Sequence, residues 1–151
     1  MNNTRPPAVA GMFYPGDAGT LGVTVDRLLA DATPEQESQP KALIVPHAGY
    51  VYSGSTAAKA YAALAPWAKQ IHRVILLGPT HRVAVDGIAV PEVEAFATPL
   101  GSIRLDAQAI ARIAELPQIV FSDHVHAFEH SLEVHLPFLQ RVLAPFTLVP
   151  L

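Results

Sequence analysis

The chain has 151 residues, the length of one domain, and half of them are hydrophobic while only 15% are charged, which excludes a disordered, highly charged tail protein. Ten basic and thirteen acidic residues give a formal net charge of −3, so the sequence lacks the basic footprint of a nucleic-acid-binding protein. It contains no cysteine, which excludes a disulfide scaffold, a zinc finger and a thiol nucleophile within the chain.

The first half of the sequence predicts a helix followed by a strand–helix–strand unit. Leucine and valine recur at helical spacing from Asp17 to Asp31, after an extended, proline-containing start. The apolar run 42–45 predicts a buried strand, the alanine-rich stretch 53–67 predicts a helix, and the apolar run 73–77 predicts a second buried strand. Strand, helix and strand within ~35 residues form a βαβ unit.

The second half of the sequence continues the alternation of strands and helices. Asp106 is placed to cap a helix, and a leucine pattern from Leu132 to Leu143 predicts another helix. Pro137 either kinks that helix or lies in its first turn. Strands are predicted at 87–90, 94–98, 119–121 and 146–151.

These elements predict an α/β fold, a layered βαβ sandwich with a mostly parallel central sheet flanked by helices. We expect a single domain over residues 1–151. Because the sequence ends on a predicted core strand with no further element to cover it, we expect the domain to be incomplete at its C-terminal side.

Two histidines follow the two strands of the βαβ unit. His47 lies in Pro-His-Ala-Gly-Tyr, directly after the first strand, and His81 lies in Gly-Pro-Thr-His, directly after the second. Ligands of open α/β sheets bind at the carboxyl ends of the strands, and imidazole suits iron, zinc and copper. The pair therefore indicates a metal or substrate site, with polar residues at two strand ends as the alternative.

A second group of titratable residues lies in Glu-His-Ser-Leu-Glu-Val-His, residues 129–135. His130 and His135 are five residues apart, about 140° around a helix, so they cannot bind one ion from one straight helix. The segment is not a metalloprotease motif. Glu129, His130 and Glu133 are either acid–base or substrate-contacting groups of the site, or the solvated charges of a capped helix start.

Other polar residues give weaker signals. Asp86 follows His81 closely and could orient that imidazole as a neighbouring carboxylate. The stretch 123–126, with two histidines, is either functional or an exposed loop, and we favour the loop. His135 is expected to be structural.

Six segments carry a resemblance to a known family. In chain order they read PPAVAGMFYP, ALIVPHAGYVYSG, VILLGPTH, TPLG, EHSLEVHLPFLQ and LVPL. On these segments, which extend from Arg5 to Leu151, the sequence is identified as a member of the Memo family, known in many prokaryotes as protein B of the AmmeMemoRadiSam system. The family is similar in fold to class III extradiol ring-cleavage dioxygenases.

The resemblance implies that His47 and His81 bind a metal ion and that the segment of Glu129 and His130 faces the same cleft. The remaining site residues of the family are an aspartate, a histidine and a cysteine, beyond the part matched here. Since this chain has no cysteine, we expect it to correspond to the N-terminal part of the family domain and to lack a third ligand.

The leading hypothesis is therefore a Memo-like metal-binding protein, a non-haem dioxygenase or oxidoreductase with Fe(II) at His47 and His81, or with copper or zinc instead. The candidate residues beyond the ligands are His130 and Glu129 as catalytic acid–base groups, and Tyr50 and Thr80 as substrate contacts.

Two other hypotheses use the same cleft. One is a non-catalytic module that binds a peptide or protein, and the weaker one is a hydrolase with a zinc-bound water. We expect a small-molecule or peptide ligand and a tendency to form homo-oligomers. No apolar run approaches the ~20 residues of a membrane span, and there is no signal peptide, so we expect a cytoplasmic protein without membrane or nucleic-acid partners.

Overall fold

The computed structural model describes residues 3–33, 38–143 and 145–151. Helices and strands alternate along it, which confirms the predicted α/β class. None of the helices within these ranges is long and apolar enough to cross a bilayer. The strands are β1 Thr4–Arg5, β2 Arg73–Leu76, β3 Ile88–Val90, β4 Ala95–Thr98, β5 Gly101–Arg104, β6 Ile119–Phe121 and β7 Thr147–Pro150. The helices are α1 Ala18–Ala30, α2 Tyr50–Ala62, α3 Ala107–Ile113, α4 Asp123–Ala127 and α5 Leu136–Val142, with 3-10 helices at Ala65–Gln70 and Glu133–His135.

Strand pairing is mostly parallel, as predicted. β1 pairs with β4, β2 with β7 and β3 with β6 in parallel, while β4 and β5 form an antiparallel hairpin. An isolated bridge between Leu105 and Leu148 links the end of β5 to β7. The strands therefore form three short ladders, two of them joined by this bridge, rather than one continuous central sheet in the described part of the chain.

Local sequence explains where the helices begin. Asp17 caps α1 by accepting a hydrogen bond from the Thr20 amide at 2.8 Å, and Asp106 caps α3 through the Ala109 amide at 2.9 Å. Pro137 lies in the first turn of α5, where its missing N–H costs no hydrogen bond. Helix α2 begins at Tyr50, three residues before the predicted start at Ser53.

Two local predictions differ from the structure. Residues 42–45, predicted as a buried strand, form no strand and make no main-chain hydrogen bond to other described residues, although their side chains alternate between exposed and half-buried. The Thr-Pro-Leu-Gly sequence at 98–101 forms the turn of the β4–β5 hairpin, in which Gly101 adopts a φ of +123° that few other residues tolerate. The exposed loop predicted at 123–126 is the short helix α4, capped by Ser122.

Helices α1, α2 and α5 pack together and cover one face of the β2–β7 ladder. The side chains of Leu21, Val25 and Leu136 are completely buried there. On the opposite face of the ladder Ile75 and Leu77 are exposed, whereas Val149, which pairs with Ile75 on that face, is buried. The site described below lies at the edge where residues 42–45 and β2 both end.

Candidate metal centre

Three histidine side chains converge at this edge. His47, His81 and His130, here called the histidine cluster, each offer a ring nitrogen, and these nitrogens all lie within 4.8 Å of one another. The ring centroids are 5.3 Å apart for His47 and His81, 5.8 Å for His47 and His130, and 4.6 Å for His81 and His130. The strand-end argument predicted the meeting of the first two, and the family resemblance implied that the segment of the third faces the same cleft.

Each member of the cluster comes from a different part of the fold. His47 lies between the extended segment 42–45 and the first turn of α2, and His81 follows β2 after a Gly-Pro-Thr turn. His130 lies in the connection between α4 and the 3-10 helix at Glu133–His135. The strand-end argument thus applies to His47 and His81 but not to His130.

The carboxylate of Glu129 binds the His81 imidazole and lies beside the His130 imidazole. Its Oε1 accepts a hydrogen bond from His81 Nδ1 at 2.8 Å and lies 3.2 Å from His130 Nδ1. Its Oε2 accepts from the His81 main-chain N–H at 2.6 Å. With the proton on Nδ1, each of these rings keeps Nε2 free as a ligand atom.

Glu129 is ionised at neutral pH. Burial by itself would raise its pKa, but hydrogen bonds from the amide and ring of His81 and from the amides of Ser131 and His130 outweigh burial and hold the pKa at about 2. Burial lowers the pKa of His130 and favours its neutral form, which is the form that binds metals. The cluster thus combines a neutral His130 imidazole with one adjacent negative charge.

A buried ion pair fixes the segment that carries Glu129 and His130. Arg5 donates to Glu133 Oε2 at 2.7 Å, to the His126 carbonyl at 2.7 Å and to the Glu129 carbonyl at 2.6 Å. Glu133 is completely buried. The N-terminal strand therefore holds the turn on both sides of His130 in place.

Glu133 also anchors the residues that follow β1. Its carboxylate accepts hydrogen bonds from the amides of Ala8 and Val9 at 2.8 and 2.9 Å and from the Tyr14 hydroxyl at 2.5 Å. The sequence suggested that Glu133 belongs to the site, and that role stays a prediction. The hydrogen bonds of its carboxylate all go to residues of the N-terminal segment, which they hold in place. The sequence offered no signal for Arg5 as its partner, because the two residues are 128 positions apart.

Phe13 joins the N-terminal segment to His130 and to the start of α2. Its ring packs on the His130 ring at 4.6 Å between centroids. Its carbonyl accepts a hydrogen bond from the Tyr50 amide at 2.8 Å, at the start of the helix that follows His47. One aromatic residue thereby sets the distance between the segments of His47 and His130.

A close approach at Gly78 brings the His130 segment against the end of β2. A Cβ at this position would lie 2.7 Å from Leu132 Cδ2 and 2.8 Å from Ser131 Oγ. Ser131 is buried, and its hydroxyl finds no hydrogen-bond partner in the described part of the chain. Only a residue without a side chain fits between β2 and the His130 segment at this position. Gly78 lies next to the turn that leads to His81.

The remaining predicted residues lie around the cluster rather than in it. Thr80 precedes His81 and donates from its hydroxyl to the Val83 carbonyl. Tyr50 is buried, and its hydroxyl donates to the Val134 carbonyl at 2.8 Å. Their roles as substrate contacts stay predictions. Asp86 is exposed, and the carboxylate that orients His81 is Glu129 instead. His135 is buried beside Tyr61, as expected for a structural residue.

The donor set fits a single transition-metal ion. Metal–imidazole bonds of about 2.0–2.1 Å place the nitrogens around one ion roughly 3–3.5 Å apart. The three nitrogens lie within 4.8 Å of one another, so one bound ion would draw the rings closer together. Imidazole nitrogens suit iron, copper and zinc.

Comparison with known proteins gives a consistent family result. A family model described as Memo-like protein matches residues 5–151. A MEMO1 family protein of Aquifex aeolicus is 43% identical over 91% of this chain and 49% of its own length. Similar proteins of Ignicoccus hospitalis and Thermococcus onnurineus are 37% and 42% identical, over 97% and 90% of this chain and 55% and 47% of their own lengths. The chain thus spans about half the length of these curated relatives.

Proposed function

The chain belongs to the Memo-like family, and we propose that it binds one metal ion through His47, His81 and His130. The single observation that carries the proposal is the convergence of three ring nitrogens from separate segments within 4.8 Å. Three protein ligands are the usual number for a catalytic ion, which leaves open positions for a substrate.

Glu129 supports this assignment. Histidines that bind metals commonly give their other ring nitrogen to a carboxylate, which fixes the ring and raises its basicity. Glu129 has this relationship with His81 at 2.8 Å and is placed 3.2 Å from the Nδ1 atom of His130. We therefore assign Glu129 a positioning role, since a carboxyl group with a pKa of about 2 is poorly suited to exchange protons near neutrality.

His130 then acts as a ligand rather than as the acid–base group suggested by the sequence. Its ring is held between Phe13 and His81. Under this proposal His130 is the third ligand that we expected the chain to lack.

The function we propose is that of a non-haem metal oxidoreductase of the dioxygenase-like kind, with Fe(II) as the first ion to test and copper or zinc as alternatives. When bound, such an ion supplies Lewis-acid and redox chemistry to a small substrate. His47, His81 and His130 would hold the ion, and Glu129 would orient the His81 ring and lie beside the His130 ring. Thr80, beside His81, borders the small cavity that adjoins this edge.

A metal analysis tests the proposal. The protein is purified without oxygen, and its metal content is compared with that of a His47→Ala/His81→Ala double variant. We expect about one ion per chain in the wild type and a loss of that ion in the variant, as expected of a three-ligand site. Absence of metal from the wild type after reconstitution would refute the proposal and favour the non-catalytic binding module.

A further inference from the structure

The side chain of His126 is a buried titratable group that the proposed metal site does not use. It lies in helix α4 and is 5% exposed. Its Nε2 atom lies 2.9 Å from the main-chain carbonyl oxygen of Ala89 in β3. Its ring also packs in a T-shaped arrangement on the Phe96 ring of β4, at 5.8 Å between centroids. The His126 side chain therefore attaches α4 to two strands.

The hydrogen bond to Ala89 fixes the position of the proton on the neutral ring. A carbonyl oxygen only accepts hydrogen bonds, so Nε2 carries the proton and Nδ1 carries a lone pair. A proton taken up from solution must therefore bind to Nδ1, and it turns the buried ring into a cation. In the described part of the chain, His126 forms no ion pair with a carboxylate that would stabilise this cation.

A buried cation already occupies the neighbourhood of His126. The Arg5 side chain, in β1, donates to the His126 carbonyl at 2.7 Å, and its guanidinium lies 4.9 Å from the centroid of the same Phe96 ring. Its charge opposes protonation of the imidazole, although Glu133 is paired with it. Protonated His126 would thus place a second cation beside Arg5 in the interior of the fold.

Other groups around the ring act in the opposite direction. Asp123, one turn earlier in α4, and Glu129, just after α4, favour the protonated ring, and so does the hydrogen bond to Ala89. Strands β3 and β4 contribute no titratable side chain, and His124 of α4 is exposed. Burial is the largest influence and lowers the pKa of His126, so the folded protein keeps the ring neutral.

The position of α4 matters because it leads directly into the segment of Glu129 and His130. The Glu129 amide donates to the His126 carbonyl at 3.3 Å. Arg5 donates to the carbonyls of both His126 and Glu129, at 2.7 and 2.6 Å. Displacement of His126 would therefore break the hydrogen bonds that hold the main chain at Glu129.

We propose that His126 is a pH-sensitive switch: its neutral ring holds α4 against β3 and β4, and its protonation in mild acid releases α4 together with the segment of Glu129. In the released state the ring is in water, where its pKa is ~6.5. Because the pKa is lower in the closed state, closure is fully stabilised above about pH 6.5 and loses stability as the pH falls below that value. Loss of the metal site in acid is a consequence, and this consequence alone rests on the proposed function.

Amide exchange of the metal-free protein tests the proposal. Protection is measured by NMR with EDTA present, from about pH 7.5 to about pH 5, on either side of the ordinary histidine pKa. The reporting amides are those of Glu129 and of Ser131, which donates to Glu129 Oε1 at 3.0 Å. We expect their protection to fall about tenfold per pH unit below ~6.5, the slope for uptake of one proton on opening. The Ala114 amide, bonded within the last turn of α3, is the reference and should keep its protection.

His126→Gln and His124→Gln form a matched pair of variants on α4. Glutamine at position 126 keeps an N–H donor for the Ala89 carbonyl but does not titrate, so the protection of the Glu129 and Ser131 amides should no longer depend on pH. His124 is exposed, and its variant should behave like the wild type. If His126→Gln fails to fold, as judged by circular dichroism, the ring signals of wild-type His126 decide. They must stay those of the neutral ring while the amide protection falls.

Three results would overturn the proposal. The first is wild-type protection of Glu129 and Ser131 that does not change with pH. The second is an equal loss of protection at Ala114, which would indicate that the whole fold opens. The third is the same pH dependence in His126→Gln as in the wild type. All of these measurements are made without a metal, so their outcome is separate from that of the metal analysis.

Discussion

Glu129 and His81 are 48 residues apart in sequence, yet one carboxylate bonds both the ring and the main chain of the histidine. The ring nitrogen lies 2.8 Å from Oε1 and the amide nitrogen 2.6 Å from Oε2. Two contacts to one residue fix both its backbone and its χ angles. The orientation of His81 is therefore set before any ion binds, which reduces the entropy lost on binding.

Replacing this carboxylate should weaken metal binding. In Glu129→Gln, an NH₂ group replaces one acceptor oxygen, so one of the bonds to His81 is lost. We expect metal affinity to fall by about 10–100-fold, the usual effect of losing such a partner, as measured by anaerobic titration calorimetry. Glu115→Gln, at an exposed site, is the control and should bind like the wild type. Equal metal affinity for the wild type and both variants would show that Glu129 does not support the metal site.

The buried pair of Arg5 and Glu133 should dominate stability around the site. Glu133→Gln leaves Arg5 buried without its counter-charge, and we expect a loss of about 3–5 kcal/mol in the free energy of unfolding. Tyr14→Phe removes only one of the bonds to the carboxylate and should cost about 1–3 kcal/mol. Urea denaturation at neutral pH measures both. If Glu133→Gln lost less free energy of unfolding than Tyr14→Phe, the role assigned to the ion pair would be contradicted.

Adding a methyl group at Gly78 should disturb the cluster without touching a ligand. The new Cβ would meet Leu132 and Ser131 at 2.7 and 2.8 Å, so the segment next to His130 must move. We expect Gly78→Ala to lose about 1–3 kcal/mol of stability and to bind metal more weakly. Gly22→Ala provides the matched control, because its nearest neighbour is 3.9 Å away. A Gly78→Ala protein with unchanged stability and affinity would show that the close approach is unimportant.

Asp106 should make stability depend on pH in acid. Hydrogen bonds from the Ala109 amide, the Arg73 side chain and Thr147 lower its pKa to about 2. A carboxyl group with a lowered pKa in the folded state stabilises the fold above its unfolded pKa of ~3.9, and this contribution disappears as the pH falls from about 4 to 2. In an Asp106→Asn variant, the asparagine side chain can still cap α3 but carries no charge.

We therefore expect the stability difference between the wild type and Asp106→Asn to be largest above pH 4 and to shrink toward pH 2. Chemical denaturation across this range gives the difference directly, and other carboxyl groups cancel in the comparison. A difference that stays constant with pH would exclude Asp106 as the titrating group.

The sequence predicted the parts of the site that depend on local order. His47 and His81 each follow an apolar run, so their convergence follows from the rule that ligands bind at the carboxyl ends of strands. The resemblance implied that the segment of His130 faces the cleft, but local order could not place His130 beside the other two histidines, because contacts from Arg5 and Phe13, more than a hundred residues earlier, hold its segment. For residues 42–45 the local pattern predicted a strand that the structure does not form. Strand pairing needs a neighbouring strand, which local sequence cannot guarantee.

The most direct test of the account is the metal affinity of a His130→Ala single variant. Two histidines could bind a metal weakly, and only the three-ligand site makes His130 essential. Fe(II) is titrated anaerobically into the wild type, His130→Ala and His124→Ala, the last being an exposed histidine outside the cluster.

We expect one ion per chain for the wild type and His124→Ala, and an affinity at least about tenfold weaker for His130→Ala. Binding by His130→Ala as tight as that of the wild type would contradict the three-histidine centre.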